Sequence, residues 1–95
     1  MPTGNIYVTP VLTNAGVGNG NAVALNVNER VAVQAIGTFS GATAKLQASL
    51  DGTNFFDVPT VSFTAPGLLF VELAATHVRG VLTSGTPSVS MSIGR

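Results

Sequence analysis

ATAKLQASLDG, residues 42–52, is the stretch whose reading decides the fold. Ala42, Ala44, Leu46, Ala48 and Leu50 alternate with Thr43, Lys45, Gln47 and Ser49. A period of two puts the apolar set on one side of an extended chain and the polar set on the other, the mark of a half-buried strand. A slip of one residue would exchange the two sets, so the pattern also specifies register. Asp51-Gly52 ends it with a dipeptide suited to a hairpin turn, because glycine accepts positive φ and aspartate tolerates it.

The same reading extends in both directions. Upstream, Val31, Val33, Ala35, Gly37 and Phe39 share one face, Gln34 and Thr38 the other, and Ser40-Gly41 turns the chain. Before them, residues 22–27 read as a strand and Asn28-Glu29-Arg30 as a charged turn. Residues 14–21 (NAGVGNGN) have loop composition. Ile6-Tyr7-Val8-Thr9 reads as a first strand, ended or pushed to a sheet edge by Pro10, and Val11-Leu12-Thr13 continues it. Downstream, Phe55-Phe56-Asp57-Val58 is a return strand stopped by Pro59, and residues 61–64 form another. Ala65-Pro66-Gly67 is a turn, with Pro66 and Gly67 as its structural residues. Residues 68–73 are nearly all apolar, residues 77–83 return, and Ser84-Gly85-Thr86-Pro87 turns again. In the last strand Val89, Met91 and Ile93 face inward, and Ser88, Ser90 and Ser92 outward.

About eight short strands with Gly/Pro turns predict an all-β domain, an antiparallel β-sandwich of jelly-roll or Ig-like form. At 95 residues there is one domain. It divides into a loose N-terminal strand or arm with its Gly/Asn loop (1–21) and a sandwich body (22–95).

Charge is the unusual property. Only 8% of the chain is charged, four bases against four acids, where an ordinary soluble domain has about 25%. A surface rich in Ser, Thr and Asn would explain this, as would a surface covered by partner subunits, where charges are depleted. Direct nucleic-acid binding is not expected, because phosphate neutralisation needs clustered basic residues and Arg30, Lys45, Arg79 and Arg95 are scattered. No apolar run approaches the length of a membrane span. The start, Met1-Pro2-Thr3-Gly4-Asn5, lacks the features of a signal peptide, so synthesis in the cytoplasm without export is expected.

The inventory of reactive groups is short. There is no cysteine and one histidine, His77, so one chain offers neither a thiolate site nor a two-histidine zinc motif. Three copies of His77 at a three-fold axis could hold a metal, yet an edge histidine is the simpler reading. No nucleophile-elbow sequence and no phosphate-binding glycine pattern is present. These features predict no catalytic residue, no metal site and no cofactor. Glu72 and Arg79 fall on strands read as consecutive, and so are candidates for a cross-strand ion pair.

Ser49-Leu50-Asp51-Gly52-Thr53-Asn54-Phe55, Thr64-Ala65-Pro66-Gly67, Val78-Arg79-Gly80 and the Ser/Thr/Gly-rich residues 83–93 together resemble small virion structural proteins of tailed bacteriophages. A tryptophan is usual where Phe55 stands. Within that group the size and low charge are most similar to a capsid decoration (cement) protein, typically trimeric. The resemblance implies a homo-oligomer, a trimer in the first instance, on the capsid surface, with the major capsid protein or another virion protein as partner. A tail, neck or fibre component, or a carbohydrate- or receptor-binding module, is the alternative. The expected interface residues are Ile6, Tyr7, Val8, Val11 and Leu12 of the N-terminal segment, and Leu68, Leu69, Phe70 and Val71 of the apolar run.

Overall fold

The computed structural model describes residues 8–95, and all of its regular structure is strand. There are seven strands: β1 (Val8–Ala15), β2 (Gly18–Asn19), β3 (Val23–Thr38), β4 (Thr43–Ser49), β5 (Phe56–Phe63), β6 (Gly67–Thr83) and β7 (Ser88–Gly94). They pair antiparallel in the order β1-β7-β3-β6-β4-β5, with β2 attached to β6.

The expected short strands are fused into longer ones. β3 has 16 residues and β6 has 17, and each passes through two layers. The second half of β3 pairs with β7, and β7 with β1. The second half of β6 pairs with β4, and β4 with β5. β3 and the first half of β6 pair with each other between these two wings, from Val23↔Val78 to Ala35↔Gly67. Layer one is therefore β1, β7, the end of β3 and the start of β6. Layer two is the end of β6 with β4 and β5. The wings fold face to face over a core that includes Val31, Val33, Leu46, Val61, Val78, Leu82, Val89, Met91 and Ile93.

The fusions correct two turn assignments. Asn28-Glu29-Arg30 is no turn: it lies inside β3, paired with Ala74, Leu73 and Glu72. All three side chains are exposed where the strand crosses between layers, so no apolar alternation marks them. The expected break between residues 73 and 77 is likewise absent, since β6 runs through it.

Of the strand or arm expected at the N-terminus, the described part from Val8 onward is a strand. β1 is paired along its length with β7, and Val11 and Leu12 are core residues, each 5% exposed. Leu12 reaches across to layer two and rests on Gly80, where a β-carbon would collide with its Cγ. Gly20 is held on the same strand by a 2.6 Å hydrogen bond from its N–H to the Gly80 carbonyl. Ile6 and Tyr7 lie outside the described residues.

Candidate functional site

The loop after β4 carries the densest set of side-chain hydrogen bonds among the described residues. It is longer than a two-residue turn, since Ala48 pairs with Phe56. Asp51 organises it. Its Oδ1 accepts from the N–H groups of Asn54 (2.8 Å) and Thr53 (2.9 Å) and from Ser49 Oγ (2.9 Å); its Oδ2 accepts from Asn54 Nδ2 (2.8 Å). Ser49, buried beneath the loop, in turn accepts from the Gly52 N–H at 2.9 Å. Gly52, at φ 79°, lies against the His77 ring.

The Asn54 and Thr53 backbone N–H groups, with the Asn54 and Ser49 side chains behind them, hold the Asp51 carboxyl well below the usual carboxylate range. An unfolded aspartate titrates near 3.9. With its folded value depressed, Asp51 contributes stability above about pH 4 and loses it as pH falls toward the folded value. Acidification from pH 7 to pH 2 should therefore lower the thermal midpoint of the native chain more than that of Asp51→Asn. Parallel pH profiles would show that the loop is held by other means.

Ser49, Asp51 and His77 are the nearest approach to a catalytic grouping, and their connections are wrong for one. Ser49 donates to Asp51 directly, and His77 Nδ1 meets Thr76 Oγ1 at 2.9 Å. Thr76 sends its single proton to the Ser49 carbonyl at 3.2 Å, which leaves its oxygen to accept from the Nδ1–H tautomer. No base faces a nucleophile. Among the described residues no three His, Asp or Glu side chains gather as metal ligands.

Glu72 and Arg79 do not meet. Both lie on β6, seven residues apart, and Glu72 is opposite Arg30 in the register. Arg79 donates from Nε to Gln47 Oε1 at 2.7 Å and lies over the Phe55 ring, 4.4 Å from its centroid. Gln47 Nε2 continues to Asp57 Oδ1 at 2.9 Å, and Lys45 Nζ stands 3.9 Å from Asp57 Oδ2. This relay covers the outer face of layer two. Phe55 is a half-buried platform for Arg79.

The outer face of layer one is different. Cross-strand partners point the same way, and the register lays out two rows across the four strands: Val8, Gly94, Ala32, Phe70 and then Pro10, Ser92, Gln34, Leu68. Neither row contains a charge, and Ile36 beside Ser90 extends them. Phe70 is 58% exposed and Leu68 57%. Arg30 and Glu72 stand at the margin, and Arg30 lies over Phe70 at 5.6 Å from the ring centroid. Of the expected interface set, Val8, Leu68 and Phe70 are thus on this face, whereas Leu69 and Val71 turn inward and pack against the core.

A second exposed feature was not read from the sequence. Leu50, expected inward, projects past the end of its strand and is 76% exposed; Phe56 is 73% exposed. With Ala48, Ser49, Asp51, Asn54 and Ala74 they line a hollow of about 390 Å³ at the open side between β5 and β6. No sequence signal distinguished these apolar residues from core.

No family model matches the chain, and no curated protein matches it in sequence. Among solved structures it is similar to the Yersinia pseudotuberculosis-derived mitogen, with a TM-score of 0.51 at 14% identity, over 98% of this chain and 86% of that one. It is also similar to PirA, with a TM-score of 0.46 at 12% identity, over 100% of this chain and 97% of that one. At such identity the likeness to the mitogen is one of fold: an all-β domain of sandwich type.

Proposed function

We propose that the chain is a non-enzymatic virion structural protein, a decoration protein that binds the capsid surface as a symmetric homo-oligomer and ties neighbouring capsomers together. The observation that carries the reading is the contrast between the two outer faces. Layer two carries Lys45, Gln47, Asp57 and Arg79 in a connected polar row, as a face turned to water does. Layer one presents an uncharged face, with Val8, Ile36, Leu68 and Phe70 exposed among Gln34 and small residues and its charges at the rim, and depletion of charge at the centre is what marks an interface core. The partner is the major capsid protein or another virion protein, and repeated weak contacts multiply through symmetry.

Mass spectrometry of purified particles tests this by counting copies. Hundreds per particle are expected. A few copies would place the chain in a tail, neck or fibre, and absence from every particle would end the virion reading. The hollow at Leu50, Phe56 and Asn54 favours a second reading, a carbohydrate- or receptor-binding module, because an aromatic face beside an amide suits a sugar ring. Specific glycan-array binding that Phe56→Ala abolishes would put that reading first.

A further inference from the structure

Apart from the short β2 and the end of β3 (Ile36, Gly37 and Thr38), the described strands leave four stretches with a neighbour on one side only: β1, β5, the first half of β3 and the first half of β6. Along an open edge alternate N–H and C=O groups face outward, ready to pair with another strand, and proteins ordinarily guard them. Three of the four are guarded. β1 carries Pro10 and two register shifts. β5 carries Pro59 and Asp57, the latter approached by Lys45. The first half of β3 has a register shift after Ala24, and Arg95 Nη1 donates to its Asn26 carbonyl at 2.8 Å.

The fourth is not. Residues 67–73 (GLLFVEL) contain no proline and no shift in their pairing with β3, and Glu72 near the end is their single charge. Their outward side chains include Leu68 and Phe70, more than half exposed, while Leu69 and Val71 are only half-buried on the inner side. A backbone ladder and two apolar fringes are left uncovered together.

We propose that this segment pairs antiparallel with the same segment of a second copy, about a two-fold axis at Phe70. The inference deepens the assembly reading above and rests on it. An identical strand is self-complementary in this arrangement, since each N–H finds the carbonyl of the other copy. Centring on Phe70 uses the whole unguarded run. It sets Leu69 opposite Val71, Phe70 opposite Phe70 and Leu68 opposite Glu72, which keeps the two Glu72 carboxylates at opposite ends. Layer one of each copy contributes four strands, so the pair shares one continuous sheet, and the apolar rows of the two outer faces join. The contact is two-fold, not the three-fold of the phage resemblance.

The absence of cysteine makes the test clean. Directly opposed residues have Cα atoms about 4.5–5.5 Å apart, within the range a disulfide spans. Purified Phe70→Cys should oxidise to a covalent dimer in most molecules. Leu68→Cys or Glu72→Cys alone should stay monomeric on a non-reducing gel, and the two mixed should cross-link to each other. Phe70→Lys, at an exposed position that tolerates it, should weaken self-association roughly tenfold by placing like charges face to face and losing the aromatic contact. A native chain monomeric by light scattering, or cross-linking no better at residue 70 than at 68 or 72, would overturn the proposal. Both readouts use the isolated chain, so they fail independently of the copy count on particles.

Discussion

Gly37→Ala should be among the most damaging single substitutions in this chain, lowering stability by about 3 kcal/mol or more. Gly37 sits in β3 at φ 117°, a conformation side chains rarely adopt. A β-carbon there would run into the Ser88 carbonyl oxygen of β7, with Val89 Cα at 3.2 Å behind it. The obstacle is backbone, so relief requires β3 and β7 to move apart where Gly37 pairs with Val89. For a domain of this size each kcal/mol shifts the midpoint by about 4–8 °C, so a fall of at least 12 °C is expected in a thermal melt. Gly16→Ala is the control: its φ is not positive and nothing lies within 4 Å of the added carbon. A Gly37 variant that melts with the Gly16 variant would show that the strands separate freely at that point.

Leu46→Ala should cost about 2–5 kcal/mol. Leu46 is the middle of the alternating stretch and is fully buried in β4, which has β5 on one side and β6 on the other. Its row partner on β6 is Gly80, which has no side chain to lean into the vacated space. Leu12 already occupies the space above Gly80 and is itself pinned by β1, so collapse into the cavity is limited. Urea unfolding should show a lower midpoint with an unchanged slope. A loss under 1 kcal/mol would mean that the two layers close over the gap.

The alternation that decided the fold is present in three dimensions: Ala42, Ala44 and Leu46 are buried, as are Val31, Val33, Ala35, Phe39, Val89, Met91 and Ile93. It was legible because each of these segments has one face on the core and one toward solvent. Where β3 and β6 cross between layers that condition fails. Asn28, Glu29 and Arg30 are exposed on successive residues, and a polar run with no alternation reads as a turn. The misplaced Glu72–Arg79 pair followed from the same lost continuity, since two segments of one strand cannot face each other.

Leu50 failed for a second reason. Its parity is inward, but it sits past the end of β4, as exposed as Phe56 on the neighbouring strand. An apolar residue at the rim is indistinguishable in sequence from one at the centre. The unguarded edge of β6 was half visible: Leu68-Leu69-Phe70-Val71 stood out as an apolar run. Edge position depends on which strands are neighbours, and the order β1-β7-β3-β6-β4-β5 is a property of the folded chain.

That order places β7 between β1 and β3 in the interior of layer one. Until residues 88–94 are in place, β1 has no strand to pair with and the end of β3 lacks a flank. Among the described strands the β4–β5 hairpin is the one pairing between consecutive strands, so it can close early; the other described pairings wait on distant partners, which makes for slow folding. Loss of residues 88–94 would remove the keystone of a layer, not a fringe, because both β1 and the end of β3 pair with them. Layer one is therefore closed by the pairing most distant in sequence, that of β1 with β7.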